Sequence, residues 1–384
     1  MSKIIAKRVS NYELFFDLAF VLAISQLTAA IHVDHVGWEQ VLSFIATNTV
    51  MLSIWNNEAY YYNRYGDSRA ADIYTVILLM LWVGNLALSF TFDVKIFQQD
   101  SSPVIAFNTF LILSYLTIAL QYYFKGRKLG FSKDIKLRIG LLSFYSLLLL
   151  PIATGILPFS LYLLPLYFLP LFQPLFLRNY LICNSFNFPH ALERNQLLTI
   201  ITFGESVIAA IRTYPLAQRP FEGVALFLGI GFLFAFYIVQ TFININHHQK
   251  ASSVILYYAH IVIIISLMFF TVGIEFLANE HHHDLGLAFF ILSILAFFAG
   301  TLSTSYYNHE LYRLDKTVLI QYAAILLLGT LSFYLLSQSI TLLGLALVAM
   351  SFLMQRTSMR YRRLMRERHR IPHPDPTQNL RDFS

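Results

Sequence analysis

Apolar runs of about 20 residues recur along almost the whole 384-residue chain, and this is the length a helix needs to cross a bilayer core. No other feature constrains the fold as strongly. In hydrocarbon, every backbone N–H and C=O must be satisfied within one helix or within a closed barrel. A barrel would show alternating segments of about ten residues, whereas these runs are continuous. The pattern predicts an all-α integral membrane protein with about twelve transmembrane helices, at 12–31, 38–61, 72–93, 104–123, 137–157, 158–177, 195–213, 223–244, 254–277, 285–305, 318–335 and 338–355. The sixth span carries Pro165, Pro170 and Pro174 and is expected to be kinked or broken, since each proline removes a helical hydrogen bond.

Charge placement orients the spans. Only 12% of residues are charged, against roughly a quarter in soluble domains, and mean hydropathy is +0.59. With a cytoplasmic N-terminus, Lys95, Arg212 and Arg219 alone among the 27 basic residues fall outside; the rest, from Lys3 to Arg381, fall inside. That asymmetry predicts both termini in the cytoplasm and a multi-pass protein of a bacterial inner membrane. The first apolar run lacks a signal-peptide cleavage pattern and reads as a retained helix. The net charge of +6 therefore reflects topology rather than nucleic-acid binding. The single cysteine, Cys183, permits no internal disulfide and no thiolate cluster.

The spans also repeat. Those beginning at 12, 38, 72, 104, 137 and 158 map onto those at 195, 223, 254, 285, 318 and 338. Six spans per half give both halves the same orientation, a parallel repeat of the kind that places a site between halves. The expected organisation is a first six-helix half at 1–178, a second at 179–355, and a disordered basic cytoplasmic tail at 356–384. Arg356 to Arg370 within that tail should attract anionic lipids. Any set of evenly spaced helices would show a similar spacing, so the repeat rests on hydropathy more than on residue identity.

Several short motifs occur together: Glu13-Leu-Phe-Phe-Asp17-Leu in the first span, Asn63-Arg64 after the second, His190-x-x-Glu193-Arg194 before the seventh, Gly204-Glu205-Ser206 within it, and Tyr258-Ala-His260 in the ninth. In this combination the chain resembles the bacterial low temperature requirement A family over most of its length. It departs from the family pattern at Tyr237-Ile-Val-Gln-Thr-Phe and at Gly66-Asp67. The resemblance implies an integral inner-membrane protein and a phenotype of growth in the cold, without implying a reaction.

Six acids, Glu13, Asp17, Glu58, Asp72, Glu205 and Glu275, sit in or at the edge of these spans. An ionised acid at bilayer depth is costly and usually faces a bundle interior. Glu13 and Asp17 lie about 40° apart on one helix face, where two acids repel unless a proton, a cation or an arginine intervenes. They read either as a cytoplasmic-side proton or cation station or as a structural ion pair with Arg64 or Arg194. Glu205 lies about 16 Å beyond Arg194 along its helix, near the bilayer midplane. It reads either as a proton- or cation-binding residue or as a neutral acid bonding between helices. His260 reads as a satisfied interhelical hydrogen-bonder or, with His190, Glu193 and Asp17, as part of a proton relay. Asn63, Arg64, His190, Glu193, Arg194, Ser206 and Glu275 form the expected supporting polar network.

Asn279-Glu-His281-His282-His283-Asp284 offers metal donors, but consecutive histidines rarely reach one tetrahedral ion, and no metal or other cofactor is expected. Phosphate loops, nucleophile elbows and metalloprotease motifs are absent from the sequence. The leading expectation is a secondary transporter or a proton/cation-conducting protein, with the bilayer and a small-molecule or ion substrate as partners. A membrane-embedded enzyme acting on lipid or isoprenoid substrates comes second, with His190, Glu193, Asp17 and His260 as acid–base groups. A membrane scaffold or sensor comes third.

Overall fold

The structure is a computed structural model that describes residues 6–67, 69–92, 101–177 and 186–372. Lys3, Lys95, Arg178, Cys183, Pro374, Pro376 and Arg381 lie outside the described residues, as does most of the expected disordered tail. The described residues are helical and form no strand; one isolated bridge joins Ile245 to Asn308. The helices are α1 (Asn11–Ala30), α2 (Trp38–Arg64), α3 (Ala70–Ala87), α4 (Ser102–Leu129), α5 (Lys133–Ala153), α6 (Phe188–Thr213), α7 (Pro220–Ile238), α8 (Val254–Leu277), α9 (His283–Ser303), α10 (Lys316–Leu335) and α11 (Ile340–Arg368). Among the described residues, nine helices are long and apolar enough to cross a membrane: all of these except α2 and α6.

The local chemistry explains the boundaries. Ser10 caps α1 in a reciprocal box with Glu13; Ser132, Asp315 and Ser339 cap α5, α10 and α11. Pro165, Pro170 and Pro174 break the sixth predicted span. Each stands at the start of a new short turn, giving Leu161–Leu163, Leu164–Phe168, Leu169–Phe172 and Gln173–Phe176 in place of one helix. Leucines such as Leu18 of α1 and Leu327, Leu328 and Leu331 of α10 are exposed, an outward apolar surface suited to lipid rather than to water.

The chain forms two compact units. The first is built from Ile5–Arg194 with Ser252–Val254, the second from Asn195–Ala251 with Ile255 onward. Within the first unit, α2 packs on α1, α4 and the broken segment. Its buried residues include Asn48, Ser53, Asn57, Glu58 and Asn63, so its polar groups meet protein, and α2 is 27 residues long without being apolar enough for the nine. Within the second unit, α7 packs along α11, and α10 along α11. Helices α8 and α9 approach with backbones touching: a Cβ on Gly273 would lie 2.8 Å from Phe290 N, and one on Gly286 2.7 Å from Leu277 N.

The basic segment after residue 355 departs from expectation. Instead of beginning a disordered tail, it continues α11 to Arg368. Its arginines, methionines and leucines favour helix, proline is absent until Pro372, and one face docks on the second unit. Ser358 and Met365 are buried, Arg366 donates to the Tyr312 hydroxyl at 3.2 Å, and the Arg362 guanidinium lies 4.3 Å from the Tyr312 ring centre.

Candidate functional site

A buried cluster of charges occupies the first unit where the start of α1, the middle of α2 and the start of α6 meet. Arg194 of α6 holds Asp17 of α1 through two parallel bonds, Nη1 to Oδ2 at 2.8 Å and Nη2 to Oδ1 at 2.9 Å. This fork on a carboxylate is the strong, directional arrangement that arginine favours. Trp55 of α2 adds its Nε1–H to Asp17 Oδ1 at 2.9 Å and places its ring 5.3 Å from the guanidinium. Arg194 Nε lies 3.6 Å from Glu13 Oε2. The Arg194 and Asp17 side chains are 1% and 3% exposed, so removing either partner would strand a desolvated charge, a larger loss than breaking a surface bridge.

Glu13 serves two partners. Its Oε1 accepts from the Ser10 backbone N–H at 3.0 Å and from the Ser10 hydroxyl at 3.0 Å. Oε1 also bonds His190 Nε2 at 3.4 Å, and Oε2 lies 3.1 Å from the same nitrogen. The histidine tautomer follows from its other side. The Asn63 amide is fixed by two backbone groups of Asn187: Nδ2 donates to the carbonyl at 2.8 Å and Oδ1 accepts from the N–H at 3.0 Å. The same Nδ2 points at His190 Nδ1, 3.1 Å away. That ring nitrogen therefore accepts, and the proton sits on Nε2, donated to Glu13. Two carboxylates, Glu13 and Asp17, thus face one guanidinium at contact distance.

A second charge layer lies in the same unit. Lys125 Nζ reaches Asp67 Oδ1 at 3.0 Å and Asp72 Oδ2 at 3.3 Å, and Tyr61 donates to Asp72 Oδ1 at 2.5 Å. Lys7, before α1, donates to the carbonyls of Tyr62 and Gly66; burial lowers its pKa against the pull of Glu13. In the loop between α2 and α3, burial works to raise the Asp67 pKa, but the hydrogen bond with Asp72 and the charges of Lys125 and Arg69 hold it below the usual value. Arg64 does not reach Glu13 or Asp17 as a partner; it binds Asp134 Oδ2 at 2.7 Å, which Arg138 also holds through Oδ1 at 3.1 Å.

The remaining predicted residues lie at the edge of this cluster or apart from it. Glu193, one turn beyond His190 on α6 and about 100° around the helix from Arg194, is exposed at the cluster's edge, where its charge still acts on His190, Glu13 and Arg194. His260 is in the second unit with both ring nitrogens engaged: Nδ1 donates to the Leu256 carbonyl at 2.8 Å, and Nε2 meets the Tyr237 hydroxyl at 3.0 Å. Ser206 links α6 to α8 through Thr271 Oγ1 at 2.7 Å, while Glu205 and Glu275 are half-buried on those helices. Gln240 was not anticipated. It lies where α7 ends in a π turn at Val239–Ile243, and it donates to Ser358 Oγ at 2.9 Å. The departure from the family pattern at Tyr237-Ile-Val-Gln-Thr-Phe coincides with this turn. Among the described residues, no group of three or more His, Cys, Asp or Glu side chains is placed to hold a metal ion.

The family model for the bacterial low temperature requirement A protein (LtrA) matches residues 8–353. The chain belongs to the LtrA family. A search of curated proteins gave no match. Together with the nine apolar helices, membership makes this LtrA-family chain a polytopic membrane protein. All the motif residues of its first unit except Glu193 and Arg64 converge on the one cluster: Glu13, Asp17, Asn63, His190 and Arg194.

Proposed function

We propose that this protein is a secondary transporter or a proton/cation-conducting protein of the bacterial inner membrane, with both termini cytoplasmic and two six-helix halves, and that it supports growth at low temperature. The observation that carries this reading is the facing of two carboxylates onto one guanidinium in the Glu13, Asp17, His190 and Arg194 cluster. A buried site with two carboxylates and one guanidinium reaches neutrality by taking up one proton or one monovalent cation. Uptake and release then alternate between two states of the same helices α1, α2 and α6, which is how a coupling ion biases a conformational equilibrium. Protonating His190 at Nδ1 sets its N–H against the Asn63 N–H, so a proton there must loosen the Asn63 hold on the start of α6. Charge and helix position are thereby linked.

Flux of protons and alkali cations in proteoliposomes tests the proposal. Wild-type protein should conduct or exchange under a pH gradient. His190→Gln, which keeps a donor toward Glu13 but cannot take a proton, should abolish the pH dependence without preventing insertion. Glu205→Gln, removing the acid expected near the midplane, should lower the flux. Unchanged flux in both variants rejects the mechanism.

One observation favours a second reading, an enzyme acting on lipid or isoprenoid substrates. An apolar cavity of about 240 Å³ lies between α4, α5 and the broken segment, lined by Tyr115, Tyr145, Phe172 and Gln173 among others. Its apolar lining, which includes none of Asp17, His190, Glu193 and His260, suits a hydrocarbon chain, and that alone supports this reading. An altered lipid composition in a deletion strain would favour this reading over transport.

A further inference from the structure

The first unit satisfies its buried acids unevenly. Asp17 has a guanidinium fork and an indole N–H; Glu13 has hydrogen bonds from His190 and two groups of Ser10 on Oε1, and its Oε2, without a hydrogen bond, stands 3.1 Å from His190 Nε2 and 3.6 Å from Arg194 Nε. Asp72 has Lys125, Tyr61 and the Asp67 N–H, and Asp134 has Arg64, Arg138 and Tyr65. Glu58, one residue past Asn57 in the middle of this polar face of α2, has only the Gln121 amide, Nε2 to Oε1 at 3.1 Å. Both side chains are buried, each residue 1% exposed. Among the described residues, two of their atoms are left without a partner: Glu58 Oε2 and Gln121 Oε1.

Two bare acceptors on one hydrogen-bonded pair form a definite chemical pattern. A carboxylate oxygen with no donor is heavily penalised in a low-dielectric interior. Among the described residues, no donor bonds Glu58 Oε2. Tyr61 and Tyr62 on the same helix spend their hydroxyls on Asp72, one on its carboxylate and one on its backbone carbonyl. The charged groups acting on Glu58 are Arg194, Glu13 and Asp72. Arg194 is committed to Asp17 and Glu13, and the other two repel a negative charge. A proton placed on Oε2 changes an orphan acceptor into a donor, and the acceptor still open on its own partner is Gln121 Oε1. One proton then closes both orphans in an acid–amide pair. The same two-bond closure already joins Asn57 and Gln173 in this unit, at 2.8 Å in each direction.

We infer that Glu58 is a proton-binding site of this protein, a neutral carboxylic acid closed by Gln121 inside the first unit. Uptake adds one proton from water to the carboxylate, and release returns it; no other bond changes. The site itself stands independently of the proposed function. Its use as the carrier of a coupled proton rests on that function, and it would then name the proton, rather than an alkali cation, as the coupling ion.

Infrared spectroscopy of the purified full chain in lipid nanodiscs at neutral pH reads the site without any gradient. The wild type should show the C=O stretch of a buried carboxylic acid, shifted in D2O, and Glu58→Gln should lose that band. Gln121→Leu should keep the band and move it to higher frequency, because the acid loses its bonded partner. If Glu58→Gln does not fold, Gln121→Leu decides alone. A band unchanged in either variant overturns the assignment, as does a band seen only after sodium and potassium are removed, which would make Glu58 a cation ligand. Proteoliposome flux is scored separately: absent flux with the Glu58 band in place removes the transport reading and retains the site.

Discussion

Replacing Arg194 by leucine should be the most damaging single change in the first unit, and its cost follows from the geometry. Arg194 gives Asp17 two charge-assisted bonds at 2.8 and 2.9 Å and stands 3.6 Å from Glu13. Removing one partner of such a buried pair costs about 3–5 kcal/mol, because a desolvated charge is left behind. Asp17→Asn should cost less, about 2–3 kcal/mol, since Arg194 keeps Glu13 and Trp55 keeps an acceptor. The double variant leaves neither a bare carboxylate at 17 nor a bare cation at 194. Its destabilisation should fall short of the sum of the singles by about 2 kcal/mol. With roughly 2–4 °C per kcal/mol for a cooperative unit of 150–250 residues, Arg194→Leu should lower the Tm by on the order of 10 °C. The assay is thermal unfolding in detergent, followed by the surviving folded fraction in size-exclusion chromatography. Strict additivity of the two substitutions would refute a coupled ion pair at this site.

Gly286→Leu should prevent α8 and α9 from closing, since its Cβ alone would lie 2.7 Å from Leu277 N, and should yield aggregated protein in the same assay. Gly231→Leu, with nothing within 4 Å of the added Cβ, is the matched control and should remain monodisperse. Lys125→Met should loosen the loop between α2 and α3, read as faster amide exchange at residues 66–67, because Asp67 and Asp72 lose their shared cation. The lowered pKa of Asp67 also sets a pH window: its contribution is complete above the unfolded value of about 4 and lost only as pH falls through the lower folded value. Loop protection, corrected for intrinsic exchange, should therefore be level from pH 8 to 5 and decline only below about 4.

The membrane class was legible because apolar run length is a local property, and Pro165, Pro170 and Pro174 announced the broken segment for the same reason. The cluster was partly legible. Glu13 and Asp17 share a face one turn apart, and Arg194 was one of two cations expected to answer them; that it was Arg194 and not Arg64 depended on Asp134, some seventy residues away in sequence and invisible to helix periodicity. Glu193 shares the motif with His190 and Arg194 yet is exposed, a difference in burial that the motif spacing does not show. Lys125 looked like a topological charge, yet its side chain is only 6% exposed. Glu58 and Gln121 gave no signal as a pair, because only tertiary packing reveals which polar groups are left without partners. The helical run beyond residue 355 was hidden by its charge, which reads as a solvated tail until its docking face on the second unit is seen.

The fixed amide of Asn63 also limits where a proton can travel. A hydrogen-bonded chain conducts protons when each member can reverse from donor to acceptor. Ser10, Glu13 and His190 can reverse in this way. The Asn63 nitrogen cannot, because it has no lone pair to offer and its oxygen is already engaged by the Asn187 N–H. In this arrangement of the helices, among the described residues, the row from Ser10 to His190 begins at the start of α1 and stops at Asn63. A proton stored there gains a second exit only when the Asn63 hold on the start of α6 is released.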